Sequence, residues 1–334
     1  MKGCIFCTPG ERFPFTFASG REEMLRQRLT VCGDYIHRGN LAENAEFLAD
    51  CEVGFASWGM PRLTEQEIEK YLPRLKVIFY AAGSVQYFAR PFLSRGVKIY
   101  SAWRTMATPV AEFTVAQILL ANKGALSTMR LYRSEGYGAG KERLLGHMPG
   151  TYGTSVGILG AGAIGSLVLE MLKSYNVRAY VFDPFLSDER AAALGASRVS
   201  LEELFSSCQT ISNHIANNPQ TVGMLNYGLF SKMGDYATFI NTGRGAQVVE
   251  EDLIRALREK PGRSAILDVT DPEPTRGELL SMDNVFLFPH IAGYARDEVL
   301  MLSDFVISQL DLYLAGNPLD ERAEVTLPML ATMA

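Results

Sequence analysis

The sequence predicts an α/β protein built from two doubly wound parallel-sheet domains. Three observations carry that prediction. Short β-like apolar runs alternate with helically spaced ones along most of the chain, as in a parallel sheet covered by helices. One apolar run leads through a glycine-rich turn into a helix, and the next β-rich run ends in a carboxylate. The length, 334 residues, suits two domains of ordinary size.

Taken in order, Lys2–Cys7, Val53–Trp58, Val77–Ala81 and Val97–Ser101 read as strands. Arg21–Leu29, Ala42–Cys51, Thr64–Tyr71 and Tyr87–Ser94 have helical spacing. Ala81-Ala82-Gly83-Ser84 is a small-residue turn between strand and helix. Open α/β sheets bind ligands at such turns, although a plain tight turn looks the same in sequence. Ala107–Tyr132 reads as one long helix, apolar over much of its circumference and so buried or in an interface. Arg133 to Tyr152 is glycine-rich and mixed in charge, and reads as an exposed loop or arm. After the glycine turn, strands are expected at Gln209–Asn213, Ala237–Asn241, Ser264–Val269 and Val285–Phe288, with a helix at Glu250–Glu259. A last helix runs from Arg296 to about Ala315, closed by Gly316 and Pro318.

Composition narrows the function. Hydrophobic content of 47% and charged content of 21% are those of a soluble globular protein. A net charge of −5 without a basic tract argues against nucleic acid or an anionic membrane as partner. The apolar patch from Gly3 to Cys7 is too short for a signal sequence, and no apolar run approaches a membrane span. Five scattered cysteines suit a reducing cytosol, hence a cytoplasmic protein. Cys4-x-x-Cys7 reads either as two buried thiols or as a redox or metal pair; with no second cysteine pair and no nearby histidine pair, no metal site is expected.

The glycine turn is Val156-Gly-Ile-Leu-Gly160-Ala-Gly162-Ala163-Ile164-Gly165. Gly160 permits a tight turn, Gly162 lets backbone approach a pyrophosphate, and Gly165 lets the helix lie against the strand. The helix's first N–H groups, at Ala163 and Ile164, and its dipole then face phosphates. Asp183 ends the next strand, eighteen residues past Gly165. A carboxylate there accepts from ribose hydroxyls and repels a 2′-phosphate, which points to NAD over NADP. The bland alternative is an ordinary glycine-rich βα turn.

Three polar groups follow apolar runs in the same half: Arg244, Glu273 and His290. They should converge on one sheet edge. A guanidinium binds a carboxylate bidentately and polarises a neighbouring carbonyl, a histidine moves the alcohol proton, and a carboxylate orients and charges the ring. Singly, each could equally be a surface ion-pair partner, a solvated loop acid or a packed core histidine.

With these residues in view, the chain resembles the D-isomer-specific 2-hydroxyacid dehydrogenase family over nearly its full length. The carrying segments are Val156–Gly165, Val181-Phe-Asp183-Pro184, Ile240-Asn-Thr-Gly-Arg244-Gly245, Leu267-Asp-Val-Thr-Asp-Pro-Glu273-Pro274 and Pro289-His290-Ile-Ala-Gly293. The resemblance implies a flavodoxin-like substrate domain, residues 1–104 plus 297–334, and a Rossmann NAD-binding domain, residues 105–296. It implies that Arg244 holds substrate carboxylate and carbonyl, that His290 is the acid/base and that Glu273 is its partner. Thr242, Gly243 and Asp268 would lie by the cofactor, and Ala82, Gly83 and Ser84 would help bind the substrate carboxylate. Family members commonly form homodimers through the nucleotide domain. The activity implied is NAD-dependent interconversion of a 2-hydroxy acid and its 2-oxo acid. A formate dehydrogenase of the same superfamily is a competitor, against which Glu273 stands where those enzymes use glutamine. An NAD-sensing corepressor-like protein of the same fold is another.

The chain departs from the family pattern at Arg104, Met106, Val85 and Gly243. Arg104 either favours a second anionic group on the substrate, pairs with cofactor phosphates or faces solvent. Trp58 either reaches the site or packs in the core.

Overall fold

The computed structural model describes residues 1–331, and the chain divides into two compact units. The first comprises Met1–Met106 and Tyr294–Ala334, and the second Ala107–Gly293.

In the first unit the strands are β1 (Lys2–Phe6), β2 (Thr30–Ile36), β3 (Cys51–Ala56), β4 (Val77–Tyr80) and β5 (Lys98–Ser101). They pair in parallel in the order 2-1-3-4-5, the flavodoxin-like order. A two-residue strand, Glu324–Val325, adds antiparallel beyond β5. The central strands are apolar and buried on both faces, as helices on both sides require. Each fully buried Val, Ile or Phe there contributes about 1.5–3 kcal/mol of burial. The helix Glu65–Tyr71 starts with a capping box, in which Thr64 and Glu67 satisfy each other's backbone N–H. Helix Leu300–Leu314 returns to this unit, packing Leu302, Val306 and Leu310 against Phe55 and Phe79.

Burial answers the cysteine question. Cys4 lies on β1 and Cys7 just past its end, and the two enter different core clusters. All five cysteines are buried free thiols. Burial raises the Cys4 thiol well above its ordinary range, so it is inert rather than redox-active.

In the second unit the strands are β6 (Thr154–Leu159), β7 (Val177–Phe182), β8 (Ala196–Arg198), β9 (Thr210–Asn213), β10 (Thr238–Asn241), β11 (Ser264–Leu267) and β12 (Val285–Leu287). They form one parallel sheet in the order 12-11-10-9-6-7-8. Order reverses between β6 and β9, the switch point at which such sheets bind nucleotides.

Five expectations need correction. Thr30–Ile36 is an edge strand that the sequence does not announce. The long helix is two, Trp103–Asn122 and Ala125–Glu135, separated at Gly124, whose φ of 60° no helix interior accepts. The expected loop at 133–152 contains a helix, Tyr137–His147, packed on Ala125–Glu135. The helix expected over Ala42–Cys51 shrinks to Ala45–Leu48, and the last helix begins at Leu300 rather than Arg296. Among the described residues no helix is long and apolar enough to cross a membrane.

Candidate active site

The glycine turn follows β6. Gly160 has φ 84°, and a Cβ there would lie 2.9 Å from the His214 carbonyl oxygen. Gly165 sits in the first turn of helix Ala163–Leu172, where a Cβ would collide with the Gly160 carbonyl. Gly162 is the reverse case, because a Cβ there would meet nothing within 4 Å. Two glycines are thus demanded by packing, while the third leaves open space in front of the helix N-terminus. The N–H groups of Ala163 and Ile164 belong to that first turn and lack intrahelical acceptors. Asp183 follows β7, and its carboxylate accepts from the N–H of Ala161 and of Phe185, both at 2.8 Å. One oxygen therefore reaches the glycine turn itself. This open cradle with an acid at its rim fits a dinucleotide bearing a free 2′-hydroxyl.

Three adjacent strand ends carry the other groups. Thr242, Gly243 and Arg244 follow β10, Asp268 and Glu273 follow β11, and His290 follows β12. His290 Nδ1 and Glu273 Oε1 are 2.7 Å apart, with both side chains about two-fifths exposed. Arg244 is half-buried and donates from Nη1 to the Gly243 carbonyl at 2.8 Å. Burial pulls its pKa down and the Glu273 charge opposes that. A guanidinium nonetheless stays charged in any protein environment.

Backbone placement explains how these side chains are held. His290 has φ 54°, a left-handed conformation unusual for a residue with a Cβ. The two residues after it donate their N–H groups to Asp268, Ile291 to Oδ1 at 2.8 Å and Ala292 to Oδ2 at 3.0 Å. Asp268 is buried, and these charge-assisted bonds fix the histidine's segment. Gly245 lies where any side chain would overlap the Thr270 carbonyl, so the β10 and β11 loops touch backbone to backbone. Thr242 Oγ1 pairs with Thr114 Oγ1 at 3.1 Å.

Beneath Arg244 lies a network that sequence reading missed. Asn213, Asn241 and Gln247 are all buried amides. Asn213 Nδ2 donates to Asn241 Oδ1 at 3.0 Å and to Gln247 Oε1 at 2.7 Å. Gln247 Oε1 also accepts from the Arg244 N–H at 3.2 Å, and Gln247 Nε2 donates to the Ile215 carbonyl at 2.6 Å. Asn241 accepts from the Gly243 N–H and donates to the Arg244 carbonyl. The sequence signals were two asparagines, Asn213 and Asn241, each ending a strand that is buried throughout.

The remaining candidates belong to the first unit. Ser101 Oγ donates to the carbonyls of Ala82 and Gly83, at 2.8 and 2.9 Å. In trans peptides this turns the N–H groups of Gly83 and Ser84 the opposite way, as a donor pair suited to a carboxylate. Met106 packs on this turn, its sulfur 3.0 Å from where a Gly83 Cβ would be. Arg104 is exposed, stacked 5.3 Å over Trp103 and within electrostatic reach of Asp320. Trp58 is partly buried against both cores and meets the Tyr294 ring at 5.5 Å. Val85 is buried.

Residues 115–292 match the family of the D-isomer specific 2-hydroxyacid dehydrogenase NAD-binding domain. A D-3-phosphoglycerate dehydrogenase of Archaeoglobus fulgidus is 32% identical over 178 residues, 53% of this chain and 33% of that protein. The match thus spans about a third of that relative's length. A 2-hydroxyacid dehydrogenase relative of Staphylococcus haemolyticus is 30% identical over 256 residues, covering 76% of this chain and 80% of the relative. The holo D-mandelate dehydrogenase structure of Rhodotorula graminis superposes with a TM-score of 0.76 over 97% of each chain, at 22% identity, a likeness of fold. On the domain match and the S. haemolyticus relative together, the chain belongs to the D-isomer specific 2-hydroxyacid dehydrogenase family.

Proposed function

We propose that the protein is an NAD(H)-dependent oxidoreductase that interconverts a 2-hydroxy acid and its 2-oxo acid. The observation that carries this is the 2.7 Å pair of His290 and Glu273 on the sheet edge that also presents Arg244. A bound nicotinamide supplies or accepts the hydride. The protein's own groups do the rest. Arg244 grips the substrate carboxylate and polarises the adjacent carbonyl with one planar fork. Glu273 faces Nδ1, which fixes the orientation of the ring. Nε2 is then the atom that exchanges a proton with the substrate oxygen. Reduction of the oxo acid draws on protonated His290 and oxidation of the hydroxy acid on the neutral ring, so rising pH favours oxidation. Thr242, Gly243 and Asp268 border the same strand ends and are assigned to the cofactor side.

The test is NADH oxidation over a panel of 2-oxo acids, including glyoxylate, hydroxypyruvate, pyruvate and 2-oxoglutarate, with wild type and His290→Gln. Loss of the positioned acid should cost on the order of 10²–10⁴-fold in turnover. Near-normal turnover in the variant would reject the acid/base role. NAD binding without turnover of any 2-oxo acid would favour a sensing protein instead. We further assign homodimerisation through the second unit, supported by the exposed Met129, Tyr132, Tyr137 and Leu145 on its paired helices. A monomeric mass in light scattering would reject that assignment.

A further inference from the structure

We propose that Gln247, bonded to Asn213 and through it to Asn241, is a positioning residue that sets the register of Arg244 against the cofactor-side loop. The role rests on the reading of Arg244 as the substrate-carboxylate group. Three neutral amides in the interior are costly unless each atom is satisfied, and here they are used on backbone. Asn241 takes the Gly243 N–H and holds the Arg244 carbonyl, while Gln247 takes the Arg244 N–H. Both backbone polar groups of Arg244 are therefore held by side chains rather than by strand or helix. Through Nε2, Gln247 also ties this loop to the Ile215 carbonyl, one residue past His214, whose carbonyl packs on Gly160. One side chain thus links the arginine's loop to the segment that lies under the cofactor turn.

Gly243 fits the same device. A Cβ at that position would stand 3.0 Å from both Asn213 Nδ2 and Gln247 Oε1, closer than an amide network tolerates without shifting. The glycine that departs from the family pattern is thus the residue that makes room for the network.

The network differs from ordinary core packing in what its loss should do. Gln247→Leu keeps the volume and removes the acceptor of the Arg244 N–H and the donor to Ile215. The guanidinium should then be misplaced, and kcat/KM for the best 2-oxo acid of the panel should fall on the order of 10²-fold. Most of the change should appear in KM, with kcat little moved. The double variant Asn213→Leu, Gln247→Leu removes both members of the short 2.7 Å bond. It should lose further thermal stability relative to Gln247→Leu, because the Ile215 N–H then also loses its acceptor, Asn213 Oδ1, at 3.2 Å. A positioning role predicts that kcat/KM, already lost in Gln247→Leu, falls no further in the double variant while stability does, and a merely structural role predicts that activity falls in step with stability. If Gln247→Leu does not fold, Gln247→Asn, too short to span from the Arg244 N–H to the Ile215 carbonyl, carries the test with the same expected loss.

Oxalate, a planar stand-in for a 2-oxo acid, gives a readout apart from turnover, through its effect on the fluorescence of bound NADH. Its affinity should fall in parallel with kcat/KM. A wild type that neither reduces a 2-oxo acid nor binds oxalate overturns the reading of Arg244. A wild type that does both, beside a folded Gln247→Leu with unchanged kinetic constants and oxalate affinity, overturns the role of Gln247 alone.

Discussion

Mild acid should destabilise this protein through one histidine that the proposed chemistry does not use. His214 follows β9, with Nε2 paired to Ser212 Oγ at 2.9 Å. Its Nδ1 is buried and has no hydrogen-bond partner among the described residues. Burial lowers its pKa to about 3, against about 6.5 in an unfolded chain. Between those values the unfolded state binds a proton that the folded state does not. Stability is therefore greatest above pH 6.5 and falls as pH drops, until the folded ring itself titrates. At pH 5, 1.5 units below the unfolded value, the loss is about 2 kcal/mol, a sizeable part of the roughly 5–15 kcal/mol of a typical domain. Carboxylates also titrate, so the measurement is a difference. Wild type and His214→Gln are unfolded in urea at pH 7 and pH 5 with matched slopes. Wild type should lose about 2 kcal/mol more than the variant over that interval. Parallel losses, within about 0.5 kcal/mol, would refute the claim that the folded ring stays neutral. With its histidine neutral, the loop beneath Gly160 carries no positive charge at physiological pH.

Other expectations can be checked in the same preparations. Arg244→Lys should lower kcat/KM about 10–150-fold, because losing one arm of a charged bidentate contact costs about 1.5–3 kcal/mol; unchanged kinetics would remove Arg244 from the substrate. Gly245→Ala must push its loop off the Thr270 carbonyl, at about 1–3 kcal/mol of strain, so both the melting temperature and turnover should drop. A normal melting curve would show that the loops can part freely. NADH should outperform NADPH by at least about 10²-fold in kcat/KM, since a like-charge clash with Asp183 costs several kcal/mol. Asp183→Ser should narrow that gap, and equal efficiency of both cofactors with wild type would discard the assignment of Asp183.

What the sequence showed and what it hid follow from the range of the forces involved. The glycine turn was legible because its requirements are local: a backbone conformation at Gly160 and a helix–strand approach at Gly165. Arg244, Glu273 and His290 could be located because each closely follows an apolar run that could only be a buried strand. Thr30–Ile36 stayed hidden because it is an edge strand, with Gly33 and Asp34 exposed and no clean alternation. Tyr137–His147 read as a loop because it holds three glycines, Gly138, Gly140 and Gly146. Gly140 serves packing, since a Cβ there would come within 3.2 Å of the Thr128 carbonyl on the neighbouring helix. That partner is twelve residues away, and no local propensity registers it. The contact of Asn213 with Gln247 spans 34 residues and is likewise invisible to any periodic pattern.

The hidden contacts and the legible residues turn out to be one structure. From the glycine turn outward, the strand ends follow the sheet order β6, β9, β10, β11, β12. Each neighbouring pair is locked by a contact that tolerates little movement. Gly160 lies against the His214 carbonyl, and Gln247 spans from Ile215 to Arg244. Gly245 abuts Thr270, and Asp268 holds the amides after His290. Cofactor turn, arginine and histidine are thus referenced to one another through backbone, step by step along the sheet. Catalytic geometry must be held within a fraction of an ångström, and long flexible side chains anchored singly cannot do that. Hence the residues proposed to bind and react are few and readable, while those that fix their spacing are the glycines and amides between them, and substitutions there should alter catalysis without touching a reacting atom.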